Sequence, residues 1–235
     1  MAIPLFLAMT AAEFTYRTLI PPHIAWMACH FSPYGTGLTN LPRNLPEGSL
    51  LIVNDRTPVC GHDPDRISQS LLDTAQNLKC CGILLDFQRP GCEQIGQIIE
   101  KTLTLPLPVA VSDLYAAEYA CPVFLSPPAP HKPLAEHIAP WQGREIWLET
   151  ALDSCIITVT DRGSTFAPLS AQTDGLPFRD DALHCHYRIE TGKDFARFTL
   201  VRAMDDIHPL LLEAETLGIT QAVGLYQELG QFCGE

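Results

Sequence analysis

Apolar residues gather in eight short runs along the chain, and these runs are continuous rather than alternating. Strands that are covered on both faces have this pattern, because neither side of the strand meets water. Such strands are typical of parallel sheets. The pattern predicts strands at residues 4–9, 24–29, 49–54, 82–87, 107–112, 122–126, 145–150 and 222–227.

Several of these runs are separated by segments with helical periodicity, in which apolar residues recur every three or four positions. The clearest are residues 65–78, 92–103 and 205–217. Other connections are rich in proline and glycine and leave room for little helix, as at 32–48 and 127–140. Strands that alternate with helices indicate an α/β fold. We expect a compact (β/α)8 TIM-type barrel with a thinned helical ring, forming a single domain over residues 1–235.

One region breaks the alternation of strands and helices. Residues 153–203 carry four strand-like segments with turn residues between them, at 156–160, 165–169, 184–190 and 195–202. They fall between the seventh predicted strand and the helix at 205–217. The sequence therefore predicts a small β-rich insertion after the seventh strand of the barrel.

Composition narrows the function classes. A length of 235 residues suits one barrel, and 46% hydrophobic residues are enough for a large core. The net charge of −12 argues against nucleic acid or an anionic membrane surface as a partner. No apolar run is long enough for a membrane span. Nine scattered cysteines favour reduced thiols, and hence a cytoplasmic protein, over a disulfide framework.

Cofactor and metal motifs are weak in this sequence. The glycine-containing segments lack the lysine of a phosphate loop and the glycine spacing of a dinucleotide site, so we expect no cofactor. His184 and His186 stand two apart on a predicted strand, so their rings would share a face and could meet one ion. No third ligand is fixed nearby by sequence. We therefore interpret this stretch as a surface strand and expect no metal site.

Polar side chains concentrate at the carboxyl ends of the predicted strands, where barrels of this kind carry their active sites. The two late carboxylates are Glu149 and Glu228. Aromatic rings beside hydrogen-bonding groups are typical of a sugar site. The candidate substrate-binding residues are Tyr34, Asp55, Asp113, Tyr226 and Gln227.

The fourth strand carries the most specific motif, Cys81-Gly82-Ile83-Leu84-Leu85-Asp86-Phe87-Gln88. It resembles the catalytic strand of the chitinase-like (family 18) glycoside hydrolases, whose pattern is D-G-x-D-x-D-[WF]-E. Gly82, Ile83, Asp86 and Phe87 fit that pattern. Its first two acids fall on Cys81 and Leu84, and its proton-donating Glu falls on Gln88. The position of the insertion also agrees with the order of elements in that family.

The resemblance implies a chemistry for the two polar positions of this strand. In the family the Glu protonates the leaving oxygen, while the Asp orients the N-acetyl group of the substrate, which acts as the nucleophile. The side-chain amide of Gln88 cannot supply that proton, although it can bind a sugar oxygen. We therefore expect a catalytically impaired barrel that binds an N-acetylated sugar or a related ligand through Asp86 and Gln88.

Two alternatives remain open at the level of sequence. In the first, the chain is an active glycosidase or transglycosidase that uses a relocated acid, either Glu149 or Glu228. In the second, it is a non-catalytic protein-interaction barrel whose protein partner is unknown.

Overall fold

The computed structural model describes residues 3–16, 20–34, 37–91, 93–169 and 175–231. Eight parallel strands form the barrel, and they are numbered with all the other strands in chain order. They are β1 (Leu5–Met9), β2 (Ile24–Phe31), β4 (Leu50–Asn54), β5 (Gly82–Asp86), β6 (Val109–Ser112), β7 (Val123–Leu125), β8 (Ile146–Thr150) and β14 (Gln221–Leu225). Neighbours follow the order β1-β14-β8-β7-β6-β5-β4-β2, and β1 also pairs with β2. The sheet is therefore closed, and the predicted barrel is confirmed.

Large side chains fill the inside of the barrel. Trp147 is fully buried there, together with Phe6 and Phe124 and with aliphatic residues from the other strands. A Cβ atom on Gly82 would lie 2.9 Å from the Trp147 ring, so this glycine leaves space for the indole. The outward-facing strand residues form a second, larger core with the helices. Burial on both faces explains the continuous apolar runs of the sequence.

Helices cover the outside of the barrel unevenly. The described helices are α1 (Ala11–Tyr16), α2 (Pro64–Asn77), α3 (Glu93–Leu103), α4 (Asp113–Ala116), α5 (Leu134–Ile138), α6 (Met204–Thr216) and α7 (Tyr226–Leu229). Asp63 caps α2, because its carboxylate accepts hydrogen bonds from the amides of Asp65 and Arg66. Only α2, α3 and α6 exceed six residues, so the helical ring is thin, as expected. Among the described residues, no helix has the length and apolarity needed to cross a membrane.

A second sheet follows β8 and contains five antiparallel strands. They are β9 (Ser154–Thr160), β10 (Gly163–Pro168), β11 (Phe178–Asp180), β12 (Cys185–Thr191) and β13 (Phe195–Val201). We call these five strands the inserted sheet. Strand β11 was not expected from the sequence, since three residues are too few to show a periodic pattern. The two-residue strand β3 (Leu38–Thr39), antiparallel to β2, was missed for the same reason.

Arg202 connects the inserted sheet to the barrel. Its side chain is only 1% exposed, and the guanidinium donates hydrogen bonds to the carbonyls of Pro128, Leu183 and His184. Burial lowers the pKa of this guanidinium, and neighbouring acidic groups partly oppose that effect. Since the side chain has no carboxylate among these partners, three main-chain dipoles stabilise its charge.

Two details of the sequence reading are wrong. The last barrel strand ends at Leu225, because Tyr226 already begins helix α7, so Tyr226 and Gln227 are helical rather than strand residues. Cys60 is disulfide-bonded, which contradicts the expectation that every thiol is reduced. Six other cysteines of the described ranges are free, and their apolar surroundings agree with that expectation.

Candidate functional site

A small cavity opens at the carboxyl ends of the barrel strands. Its volume is about 60 Å³. Most of its lining is apolar and includes Met27, Leu84 and Phe124, while Asp86 and Glu149 add two carboxyl groups. Strands β5 and β8 are three strands apart around the barrel, so these two side chains approach the cavity from different sides. The mouth of the barrel therefore combines an apolar floor with two acidic groups.

Asp86 is the last residue of β5 and lies half-buried in this mouth. Gln88, two residues further on, shares its strand face, and Gln88 Nε2 donates a hydrogen bond of 2.5 Å to Asp86 Oδ1. Burial raises the pKa of the Asp86 carboxyl, the Gln88 hydrogen bond opposes this, and Asp55 and Asp113 raise it further. Asp86 and Gln88 thus form a pair at the position that the sequence motif predicts.

Asp55 supports the chain segment that carries Gln88. This buried residue follows β4, and its Oδ2 accepts hydrogen bonds from the amides of Gln88 and Arg89, at 3.1 and 2.8 Å. The carboxylate therefore fixes the chain that leaves β5 and orients Gln88. Tyr115 supports the same turn, because its hydroxyl donates to the Arg89 carbonyl. Asp55 acts on the site through the backbone, a role that a list of polar strand ends does not reveal.

The two late glutamates differ in their surroundings. Glu149 lies on β8 and lines the cavity. Burial, assisted by the charges of Asp86 and Glu228, raises the pKa of Glu149 to about 7. Glu228 lies on α7, and its Oε2 accepts a hydrogen bond from the amide of Leu152. Of the two carboxyl groups proposed as a relocated acid, Glu149 is the one that lines the cavity, and its pKa of about 7 lets it hold a proton near neutral pH.

The remaining predicted residues are not gathered in the cavity. Tyr34 is 86% exposed on the loop after β2, and Gln227 is exposed on α7. Tyr226 packs against the outer core between strands and helices. Asp113 begins α4 and acts on Asp86 only through its charge. None of these four side chains lines the cavity at the mouth.

Two residues at the mouth were not selected from the sequence. Asn54 lines the cavity and donates from Nδ2 to the Met27 carbonyl, which fixes the irregular part of β2. Leu225 lines the cavity from the last strand. Strand parity could have identified Leu225, because Val223 faces the barrel interior and residues two apart on a strand share a face.

A second cavity lies beside the mouth, between the loops that follow β4 and β5. Its volume is about 250 Å³. The polar lining includes Asp55 and Arg89, and the apolar lining includes Val59, Pro90 and Ile95. Because both loops leave the carboxyl ends of neighbouring strands, this cavity and the mouth occupy the same rim of the barrel.

The rings of His184 and His186 do not lie on one face of a strand, contrary to the prediction from sequence. His184 precedes β12 with a φ of 47°, outside the strand. Its Nε2 lies 2.5 Å from Glu213, whereas His186 Nε2 lies 3.2 Å from Asp205. The left-handed backbone at His184 turns the two rings toward different parts of α6, so the two-histidine site is not formed.

Comparisons with solved structures find barrels of one kind. The spore cortex-lytic enzyme SleL of Bacillus cereus matches with a TM-score of 0.55 and 10% identity, over 94% of this chain and 70% of that one. A chitinase of Chromobacterium violaceum matches with a TM-score of 0.52 and 12% identity, over 95% and 93%. The chitinase-like agglutinin RobpsCRA of Robinia pseudoacacia matches with a TM-score of 0.57 and 14% identity, over 95% and 94%.

The chain has the barrel fold of these chitinase-like structures. The three matches agree with the resemblance predicted from the β5 motif. No family model matches the chain, and no curated protein matches it either. At 10–14% identity these likenesses establish the fold, and the activity has to be argued from the site.

Proposed function

We propose that this chitinase-like barrel is catalytically impaired and binds an N-acetylated sugar, or a related ligand, at its carboxyl-end rim. The observation that carries the proposal is the Gln88–Asp86 pair. Gln88 occupies the motif position of the proton-donating acid, and its amide donates to Asp86 Oδ1. An amide has no proton to give to a leaving group, and loss of a general acid typically costs about 10²–10⁴ in rate.

Sugar binding is favoured by the composition of the rim. Sugars combine apolar C–H faces with hydroxyl groups, and the mouth offers apolar side chains beside Asp86 and Glu149. A cavity of about 60 Å³ admits a substituent the size of a few water molecules rather than a sugar ring. The ring would then lie across the rim, with an N-acetyl group inserted into the mouth. The adjoining cavity beside Asp55 and Arg89 offers room for a further part of the ligand.

The names of the similar structures support both parts of the proposal to different degrees. One is named a chitinase-like agglutinin, which supports binding, and two others are named a spore cortex-lytic enzyme and a chitinase, which keep a catalytic alternative open. Binding without turnover would give this chain a function on the same fold. We expect dissociation constants between micromolar and millimolar, or roughly 4–8 kcal/mol.

Calorimetric titration with N-acetylglucosamine oligomers and with peptidoglycan fragments tests the proposal. The variant Asp86→Ala/Gln88→Ala should bind at least tenfold more weakly. Asp161→Ala, an exposed change in the turn between β9 and β10, is the matched control and should bind as the wild type does. The proposal fails if none of these saccharides binds at millimolar concentration, or if the double variant binds them equally well.

A second candidate function rests on Glu149. A carboxyl group with a pKa of about 7 is half protonated at neutral pH, which suits a general acid. In this alternative Glu149 donates the proton and the barrel is a slow glycosidase. Measurable hydrolysis that disappears in Glu149→Gln would support it. Persistence of that hydrolysis in Glu149→Gln would exclude Glu149 as the acid.

A further inference from the structure

His186, Asp205 and Asp206 bring three ligand atoms together where the inserted sheet meets helix α6. Each residue offers one atom, and the three atoms lie within 4.8 Å of one another. His186 Nε2 is 3.2 Å from Asp205 Oδ2 and 3.7 Å from Asp206 Oδ2. Zinc bonds of about 2.0–2.2 Å in tetrahedral geometry place neighbouring ligand atoms about 3.3–3.6 Å apart. The two distances from His186 to the carboxylates are close to those of a tetrahedral site.

Asp206 has one carboxylate oxygen that makes no hydrogen bond. Its side chain is fully buried, and Oδ2 accepts a hydrogen bond from the amide of Ala203. The other oxygen, Oδ1, is buried and makes no hydrogen bond, and Arg179 Nη2 lies 3.4 Å from it. Buried carboxylate oxygens are normally satisfied, and an ion or water is a common explanation where they are not.

The charges around Asp206 leave a deficit of positive charge. Arg179 is the nearest cation, and its shortest contact, at 3.0 Å, is to Asp181. Its other contacts are longer, at 3.4 Å to Asp206 and 3.9 Å to Asp205. Arg202 also interacts with Asp206 through its charge, so two guanidiniums face three carboxylates, which leaves a net negative charge when His186 is neutral. A bound cation would balance that charge.

We propose that His186, Asp205 and Asp206 bind a divalent transition-metal ion, with Zn²⁺ as the best match. One imidazole and two carboxylates form a donor set suited to such ions. The sequence did not suggest it, because the ligands are separated by a hairpin and the second histidine of the pair faces Glu213. The ion would join strand β12 to the first turn of α6 and so fix the inserted sheet against the helix that returns to the barrel. This inference does not depend on the sugar site.

Metal titration of tag-free protein tests this site. We expect wild type to bind one more equivalent of Zn²⁺ than Asp205→Asn, and His186→Asn to lose the same equivalent. Asp205 is exposed, so its substitution should leave the fold intact. Asp181→Asn is the matched control, because it makes the same change beside Arg179 but lies outside the three ligands, and its affinity should stay within about twofold of wild type.

Cobalt distinguishes this site from the free cysteines of the chain. Co²⁺ bound by His186 and the two aspartates should lack the sulfur-to-metal charge-transfer band that thiolate ligands produce. The same equivalent of Zn²⁺ should raise the midpoint of thermal unfolding in wild type and in Asp181→Asn, but not in Asp205→Asn. Failure of wild type to bind Zn²⁺, equal stoichiometry in Asp205→Asn, or a charge-transfer band that accounts for all bound Co²⁺ would each overturn the proposal.

Discussion

Glu149 on β8 and Asp86 on β5 line the same cavity at the mouth of the barrel, and the charge of Asp86 helps to raise the pKa of Glu149. Burial is the larger cause of the raised pKa at both residues. Two carboxyl groups in an apolar setting are not expected to ionise together at neutral pH. The mouth therefore holds two carboxyl groups with raised pKa values, and Glu149 keeps its proton up to about pH 7.

The protonation of Glu149 predicts how stability depends on pH. The pKa of Glu149 is about 7 in the fold and about 4.5 for an ordinary Glu, so the folded state binds more protons between these values. The contribution is fully present below about pH 4.5 and is lost as pH rises through about 7. In urea unfolding, the free energy of unfolding of wild type should fall between pH 5 and pH 8 by on the order of 3 kcal/mol more than that of Glu149→Gln.

The control for this prediction is Glu136→Gln, on the exposed side of α5. It should keep the pH dependence of wild type, because this side chain is exposed and does not line the cavity. An unchanged slope in Glu149→Gln would contradict the raised pKa of Glu149.

We predict that restoring an acid at position 88 increases hydrolytic activity. Gln88→Glu places a carboxyl group beside Asp86, and the like charge would raise the pKa of the new acid. We expect hydrolysis of chromogenic N-acetylglucosamine oligomers to rise above the wild-type level. The gain should be partial, because the other two acids of the motif are still replaced by Cys81 and Leu84.

Gln88→Leu is the matched variant, since it removes the amide without adding an acid and should show no gain. If Gln88→Glu hydrolyses no better than Gln88→Leu, the position does not lie at the reacting bond. Robust wild-type turnover that Glu149→Gln abolishes would instead favour the alternative function.

The barrel, and the placement of Asp86 and Gln88 on one face of β5, could be predicted from sequence because their signals are local. Continuous apolar runs identify parallel strands, and parity places Asp86 and Gln88 on one face. The sugar-binding role of Tyr226 was not supported by its position, since the strand ends one residue earlier and Leu225 lines the cavity. The role of Asp55 depends on amides more than thirty residues away, so no local pattern reports it.

Gly82 should be intolerant of a side chain. The substitution Gly82→Ala places a methyl group 2.9 Å from the Trp147 ring and 3.1 Å from the Pro108 carbonyl oxygen. Overpacking of this kind costs about 1–3 kcal/mol, which chemical denaturation should detect. Gly96→Ala, within helix α3, is the control; its nearest contact is the Tyr119 hydroxyl at 3.2 Å, and better helix propensity should offset that contact. Equal effects of the two substitutions would refute the packing argument.

Because Arg202 connects the inserted sheet to the barrel, we predict that its substitution lowers the stability of the whole protein. Arg202→Leu leaves the carbonyls of Pro128, Leu183 and His184 without their charged donor, so we expect a loss of about 2–4 kcal/mol. Arg197→Leu removes an exposed arginine of β13 and should change stability by less than about 1 kcal/mol. A change of the same size in both variants would show that the three buried hydrogen bonds contribute nothing specific.

Methyl NMR of methionine-labelled protein tests sugar binding at the mouth most directly. Met27 lines the cavity, whereas Met9 and Met204 belong to the outer core between strands and helices. On titration with an N-acetylglucosamine oligomer, the Met27 methyl signal should shift saturably while the signals of Met9 and Met204 stay in place, and Asp86→Ala/Gln88→Ala should abolish the shift. A Met27 signal that does not move at millimolar saccharide, or that moves equally in the double variant, would contradict the proposed site.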